Sequence, residues 1–561
     1  MRQWDEAMGK PTCSDIRQFY IDRVTINTAH ALCRQPQTRY AQGYRFFLAS
    51  KIIAKPVDST GRCIREDKAG YIGSKQSPIL ERLGLDSQLP ASPLLIIISP
   101  CLRHHKNGEI ACGHGYTNKI SVNVKKINML TAQQKAQLKT FHNNLSDASI
   151  SPDDERYVAV FSSDTDLPVD DPIDDIATNI DFSESSSVNL LTGPRGSGKS
   201  TELKRLSAQL TKNDCEVFHV DMSQYMNLTT AVDVTDFLIS VMAAFSDIVF
   251  DRFGKDFSHT SYPERLATLL NTEIDIESTS FKTNVGTIKA SLKGDPSFKK
   301  QLQDCLKGHV SQIVAQAHEF AENVVAFIRK QAKNPDKKVV LLVDSVEQIR
   351  GVGSDAELVY KSVENLFSAH SDSLRFPTMH VVYTIPPYMS ALAPGVARVL
   401  GGNAVQTLPS IHVRTTDNLD DEHGLQIMHA ILSKRCATLN EILTTEQVKQ
   451  LARLSGGDIR NYFRFVRNCL VKAGSSSGSD LPLADHLFER AINPFRREMF
   501  IPLDDLKWLR RIDESSDHKL TSKESLAQFA RFLDSGLVLN YRNGKDWYGV
   551  NPLLRELLEK E

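Results

Sequence analysis

The run Gly193-Pro194-Arg195-Gly196-Ser197-Gly198-Lys199-Ser200-Thr201 constrains this chain more than any other stretch. Gly193 to Ser200 fit the pattern G-x-x-x-x-G-K-S/T without a mismatch. An apolar strand candidate, VNLLT, precedes the run. An amphipathic helix, STELKRLSAQLTK, follows it, with Leu203, Leu206 and Leu210 on one stripe. Glycines at these places let backbone N–H groups turn inward around a phosphate, and the start of the helix adds positive potential. Lys199 is placed to reach the outer phosphates of a nucleotide, and Ser200 to put its hydroxyl on Mg²⁺. A glycine turn that happens to carry a lysine is the plainer alternative, but it leaves the strand–loop–helix context without a reason.

Such a loop needs an acidic metal partner at the end of a neighbouring strand. KKVVLLVDSVEQI supplies Asp344 after an unbroken apolar run. Glu347, in the same stretch, is the candidate base that polarises an attacking water; the other reading is a solvated residue at a helix start. Around these motifs strand and helix alternate, the pattern of an α/β domain with a parallel sheet. EVFHVD, MHVVYT and AVQTLPSIHV are further strand candidates. Between EVFHVD and KKVVLLVD lies a long, mostly helical stretch, about 223–336, expected as an insertion into the core of 187–420. It includes HVSQIVAQAHEFAENVVAFIRKQ, with Ile313, Ala317, Phe320, Val324 and Phe327 at helical spacing. Residues 421–475 read as helical, GSSSGSDLP as a linker, and 485–561 as two helices and a hairpin turning at Asn543-Gly544.

The beginning of the chain is different. In residues 1–128 basic residues outnumber acidic ones, and Cys13, Cys33, Cys63, Cys101 and Cys112 fall there. Periodicity is weak. CLRHHKNGEIACGH brings Cys101, His104, His105, Cys112 and His114 close in sequence, yet the spacing is too irregular for a structural zinc site. Met129 is followed at once by an amphipathic start, LTAQQKAQLKTFHNNL. Two readings stay open for 1–128: an appended segment, or an upstream extension of the reading frame. Residues 129–186 are a helical and then acidic lead-in; from about 150 the Ser-rich, acidic part suits a solvated stretch, and DPIDDIATNI reads as a short helix packed beside the first strand. Nine cysteines at irregular spacing, no apolar N-terminal run and no apolar stretch of membrane length point to a cytoplasmic protein with no membrane partner.

From about residue 150 onward these motifs resemble the AAA+/STAND group of P-loop ATPases, with Walker A at Gly193–Thr201 and Walker B at Asp344. The general AAA+ pattern places its glutamate directly after the aspartate, where this chain has Ser345. A small residue, an apolar one and then an acid is similar to the second acidic motif of STAND and NACHT-type NTPases, which implies catalysis by Glu347. The resemblance further implies a γ-phosphate sensor at Thr384, which ends MHVVYT, and a second sensor at Arg460 in LSGGDIRNYFRFV. A capping threonine and a solvated arginine are the alternatives at those two positions. Arg398 is a candidate finger for a neighbouring subunit's nucleotide. A helical lid (421–475) and a C-terminal winged helix (485–561) resemble the origin-recognition-like branch. The layout is also similar to that of bacterial ATPases of mobile or defence loci, without a motif that assigns this chain to one system.

The resulting expectation is an ATP-binding, ATP-hydrolysing switch that uses Mg²⁺ and passes a conformational or assembly change to an unidentified protein partner or to further copies of itself. Lys199, Glu347, Thr384 and Arg460 would carry the chemistry, and Ser200 and Asp344 would hold the metal. A DNA-remodelling or loading ATPase acting through the winged helix is one alternative. From Arg496 to Glu561, however, basic and acidic residues are equal in number, which does not favour DNA. A non-hydrolysing nucleotide-binding scaffold is the other. ATP is preferred over GTP because no guanine-reading N-K-x-D element is evident.

Overall fold

The computed structural model describes residues 130–561 except 162–170, 258, 273–293, 295–299, 301, 305, 352–354, 403, 476–480, 500, 516–522, 544 and 560–561. Before residue 130 it describes only short antiparallel strand pairs, such as Leu102–His104 with Ile110–Cys112. The side chains of the Cys101–His114 cluster lie outside the described residues, as does most of the proposed linker. The chain divides into two compact units, the larger comprising 132–475 and 481–561.

The centre of the larger unit is a five-stranded sheet: β1 (Ser187–Thr192), β2 (Glu216–Asp221), β3 (Val339–Asp344), β4 (His380–Thr384) and β5 (Val405–Thr407). All pairings are parallel, in the order β5-β1-β4-β3-β2. A central parallel strand is covered on both faces and reads as an unbroken apolar run. VVLLVD in β3 does so, with every residue buried. Side-chain alternation then deals its residues to two cores. Val340 and Leu342 join Leu191, Val382 and the Leu203-Leu206-Leu210 stripe on one face. Val339, Leu341 and Val343 join Phe218, Val381 and Tyr383 on the other.

The helices follow from the same accounting of apolar faces. The first element, α1 (Ala132–Asn144), packs against the helix Ile459–Ser475 rather than on the sheet, whose first face carries α2 (Pro172–Phe182), started by Asp171 as its cap, and α3 (Lys199–Lys212). On the second lie α4 (Val234–Phe253), α5 (Tyr262–Thr272), α6 (Val310–Ala332) and α7 (Ala356–Ala369). The stretch 223–336 is therefore not simply an insertion. Phe245 meets Phe218 of β2 edge-on at 5.1 Å and Phe320 of α6 at 6.0 Å. A sheet face left bare would expose the Phe218 side of the core, so α4 and α6 are part of it.

After β5 come α8 (Glu422–Ser433), α9 (Thr445–Ser455) with a Thr444/Gln447 capping box, α10 (Ile459–Ser475) and α11 (Asp485–Glu498). Then follow α12 (Leu503–Ser515), α13 (Lys523–Ser535) and the hairpin β6 (Val538–Asn543) and β7 (Lys545–Val550). These last elements share a small core of Leu509, Phe529, Phe532, Val538 and Val550. The strand expected in AVQTLPSIHV stops at Thr407. Beyond it the backbone turns to the hairpin instead, Ser410 N donating to the Asn540 carbonyl at 3.0 Å. Arg414 anchors that junction. Buried, it donates to the Val550 carbonyl at 3.1 Å and to Asn418 at 2.6 Å. It also stands over the stacked rings of Tyr541 and Trp547.

Arg414→Ala should therefore loosen the hairpin selectively. Hydrogen exchange of the β6–β7 amides is expected to quicken by roughly ten- to a hundredfold, the equivalent of about 1.5–3 kcal/mol for a lost charge-assisted bond, while β3 stays protected. Equal protection in mutant and parent would show that Arg414 carries no such load.

Candidate functional site

The ends of β1, β3 and β4 meet at the carboxyl edge of the sheet, where open parallel sheets carry their ligand crevices. Register sets the neighbours: Thr384 pairs with Leu191 next to the glycine loop, and Tyr383 pairs with Val343 next to Asp344. A cleft of about 500 Å³ opens there, within the range of small-molecule sites.

One wall is the glycine loop. Gly193 passes so close to the next segment that a Cβ would lie 2.2 Å from the Leu408 carbonyl oxygen. Gly196 has a φ of +82°, a left-handed conformation that side chains other than hydrogen strain to adopt. The loop ends at Gly198 and α3 begins with Lys199, so the first amides of α3 face the cleft. Lys199 is buried; its Nζ donates to the carbonyls of Gly193 and Pro194, each at 2.8 Å, and stands 4.0 Å from Glu347 Oε1. Burial pulls the Lys199 pKa down, and the Glu347 and Asp344 charges oppose it. Arg195, Ser197, Ser200 and Thr201 line the same wall.

The acidic wall is built by one strained residue. Ser345 follows Asp344 with φ +70°, a conformation uncommon outside glycine. It turns the chain at the strand end into the short helical turn Val346–Gln348, which brings Glu347 back over the cleft. The offset from Asp344 to Glu347 thus still delivers both carboxylates to one site. Asp344 Oδ1 accepts from Ser345 N at 2.7 Å and Oδ2 lies 3.3 Å from His219 Nε2. Glu347 is buried, and its Oε2 has no hydrogen-bond partner among the described residues. Burial pushes its pKa up; the Lys199 charge pulls it back, and the Asp344 charge adds to the rise. Thr384 Oγ1 donates to the Val343 carbonyl at 3.2 Å and accepts from Val346 N at 3.1 Å. It fastens the turn that carries Glu347, and it is fully buried rather than among the residues lining the cleft.

Arg460, in the first turn of α10, lines the cleft with Arg195. Burial lowers the Arg195 pKa, and the charges of Arg350 and Arg460 lower it further, so positive charge is concentrated at this end. Arg398 is exposed in the helical turn Val396–Val399 and does not line the cleft. Ser200 and Asp344 offer the hydroxyl and carboxylate oxygens that suit Mg²⁺, and the orphaned Glu347 Oε2 suits a bound water. The donor set fits a metal–nucleotide pair.

Sequence reasoning missed the far end of the cleft. Residues 150–161 were expected as solvated lead-in, yet Ile150, Tyr157 and Val158 form a wall there together with Ile431, Arg435 and Phe463. Asp154 and Arg156 pair with each other at 2.6 Å, and Asp153 and Glu155 stay exposed, while Ile150, Tyr157 and Val158 turn to the cleft. Tyr157 donates to Glu202 at 3.2 Å, Lys204 to the Ser149 carbonyl at 2.7 Å, and Arg435 to the Arg156 carbonyl at 2.9 Å. Arg435 also stands over the Phe463 ring at 4.7 Å. His219 was missed too. Its only signal is a polar residue in a buried strand, on the same face as Asp221.

No protein-family model matches the chain, and no curated protein is similar to it. Solved structures with a similar shape include the Walker-type ATPase of Pyrococcus abyssi, 10% identical at a TM-score of 0.38, over 74% of this chain and 99% of that one. The Aeropyrum pernix ORC2 protein in ADPNP–ADP complexes is 13% identical at 0.33, over 72% and 96%. Drosophila ORC bound to DNA is 12% identical at 0.31, over 78% and 96%. Among the described residues no helix is long and apolar enough to cross a membrane.

The turn at Ser345 has a measurable consequence. Ser345→Val places a β-branched residue at a left-handed φ and is expected to unfold more easily than Ser345→Gly by roughly 1–2 kcal/mol. Thermal unfolding of the two variants checks it; equal stability would mean that the turn relaxes without strain.

Proposed function

We propose that this chain is an ATP-binding and ATP-hydrolysing switch of the STAND/AAA+ kind. The observation that carries the reading is the convergence of the glycine loop, Asp344, Glu347 and Arg460 on one cleft. The loop amides and Lys199 hold the phosphates; Arg195 and Arg460 add charge where the γ-phosphate would lie. Ser200 and Asp344 would hold Mg²⁺, which when bound would neutralise charge on the phosphate oxygens. Glu347, through Oε2, orients the attacking water and accepts its proton. Thr384 acts through the Val346–Gln348 turn rather than by touching phosphate. The wall of Ile150, Tyr157, Val158 and Phe463 takes the base. Positioning and charge stabilisation supply most of the catalysis in such sites.

The output is a movement of α8–α11 as a lid and of α12–β7 as a winged helix. The latter is docked on the core, Tyr360 of α7 donating to Asp534 of α13 at 2.9 Å. A nucleotide-dependent shift of the lid would therefore be transmitted to the winged helix and from there to a partner. Three of the arginines that could meet DNA are engaged within this segment: Arg531 with Asp505 at 2.6 Å, Arg542 with Asp546 at 2.8 Å, and Arg511 over Trp508. That disfavours the DNA-loading alternative, whose signature would be a salt-dependent affinity for duplex DNA.

Glu347→Gln is expected to lower ATP turnover by roughly a hundredfold or more while ATP stays bound. Lys199→Ala should weaken binding itself. Turnover unchanged in Glu347→Gln would remove Glu347 from the chemistry and favour a scaffold. Because burial raises the Glu347 pKa above its ordinary 4.5, the acid limb of turnover should lie above that value, activity falling as the carboxylate gains its proton. A pH–rate profile with no limb above 4.5 would contradict that assignment.

A further inference from the structure

The short passage from α9 to α10 touches a different neighbour at almost every residue. The Gly456 carbonyl accepts from the Tyr541 hydroxyl of β6 at 2.8 Å. The Gly457 carbonyl accepts from Ile411 N, on the segment after β5, at 3.3 Å. Asp458 rests on the glycine loop: a Cβ built on Gly196 would stand 2.1 Å from Asp458 Oδ1 and 2.9 Å from Oδ2. Ile459 N donates to the Gly196 carbonyl at 3.1 Å. The loop that surrounds the phosphates is thus held from outside by the first residues of α10.

Asp458 does two things with one carboxylate. It caps α10, Oδ1 accepting from Asn461 N at 2.8 Å and Oδ2 from Asn461 Nδ2 at 3.4 Å. It also fills the space over Gly196, which the absence of a side chain there leaves open. The cap alone would be served by Ser, Thr or Asn. A carboxylate is a poor choice for a buried place beside an anion site, and burial pushes its pKa up to about 6 despite the Asn461 amide and the Arg460 and Lys199 charges. Ser and Thr would cap α10 but are too short to reach Gly196, so reach is what a side chain of this length supplies beyond capping. Arg460, two residues on, lines the cleft from the same first turn.

We propose that Asp458 is a positioning residue of the nucleotide site: seated on Gly196 and capping α10, it fixes the phosphate loop against the helix and aims Arg460 into the cleft. Tyr541, through Gly456, steadies the same passage from the hairpin side. This inference rests on the cleft being a nucleotide site, and on Arg460 acting in it.

Three substitutions separate reach from capping. Asp458→Asn keeps both the cap acceptor and the length, and turnover should stay within roughly threefold of the parent. Asp458→Ser keeps the cap, and with it the helix, but is too short to seat on Gly196. It is expected to fold and to lose roughly ten- to a hundredfold in turnover, the effect of a small misplacement, with ATP affinity changed much less. Adding Arg460→Ala to Asp458→Ser should then cost little more, because the two act as one unit. ATP turnover and ATP affinity are measured side by side on the full chain, with Lys199→Ala as the control. Parent-like turnover in Asp458→Ser, or fully additive losses in the double variant, would overturn the role of Asp458 and leave the nucleotide site standing. A parent chain that binds no ATP would overturn the nucleotide site itself, and Asp458 with it.

Discussion

The site depends on a cation and a carboxylate buried side by side. Lys199 and Glu347 stand 4.0 Å apart, each nearly sealed from water. Removing either charge from water is unfavourable, and neither group could stay ionised there alone. Together they tolerate burial, and the loop carbonyls of Gly193 and Pro194 complete the lysine's shell. The pair also has a polar atom to spare, Glu347 Oε2, at a place where a water or phosphate could use it. Everything else at the carboxyl edge of the sheet serves to bring these two groups together from parts of the chain far apart in sequence.

The sheet does so through its strand order. With β4 between β1 and β3, the loop after β1 and the turn after β3 are not adjacent strands but second neighbours, and Thr384 closes the gap at the end of β4. Thr384, the candidate phosphate sensor, holds the acidic turn through Val346 N and the Val343 carbonyl. The same spacing explains why Ser345 is left-handed. A chain leaving β3 in the ordinary direction would carry Glu347 away, and the strain at one residue is offset by the contacts its turn makes.

On the other side, the C-terminal segments close over the loop. The Gly456–Ile459 passage lies between hairpin and glycine loop, and Arg414 and Tyr360 fasten the hairpin and α13 to the rest. The cleft is thus lined at once by groups from the sheet, the lead-in and the α8–α10 helices. Small displacements at such a junction are passed on because packed interfaces shift between arrangements rather than stretch.

The glycine loop, the buried strand VVLLVD with its terminal Asp344, the Leu203-Leu206-Leu210 stripe and the alternation of strand with helix were all legible in the sequence, because each depends on residues near one another in the chain. Local backbone chemistry and side-chain periodicity are written locally. The wall formed by Ile150, Tyr157 and Val158 was not legible, nor was the placing of α4 and α6 in the core, the hold of Thr384 on the acidic turn or the seat of Asp458 on Gly196. Those depend on which distant segment arrives at a given surface, and composition misleads there: an acidic stretch can leave its charges paired or exposed and still turn its few apolar residues inward. The sequence by itself determined that a glycine loop between strand and helix and an acidic strand end exist. Only the tertiary structure decided what faces them, since that is settled by strand order and by the packing of segments hundreds of residues apart.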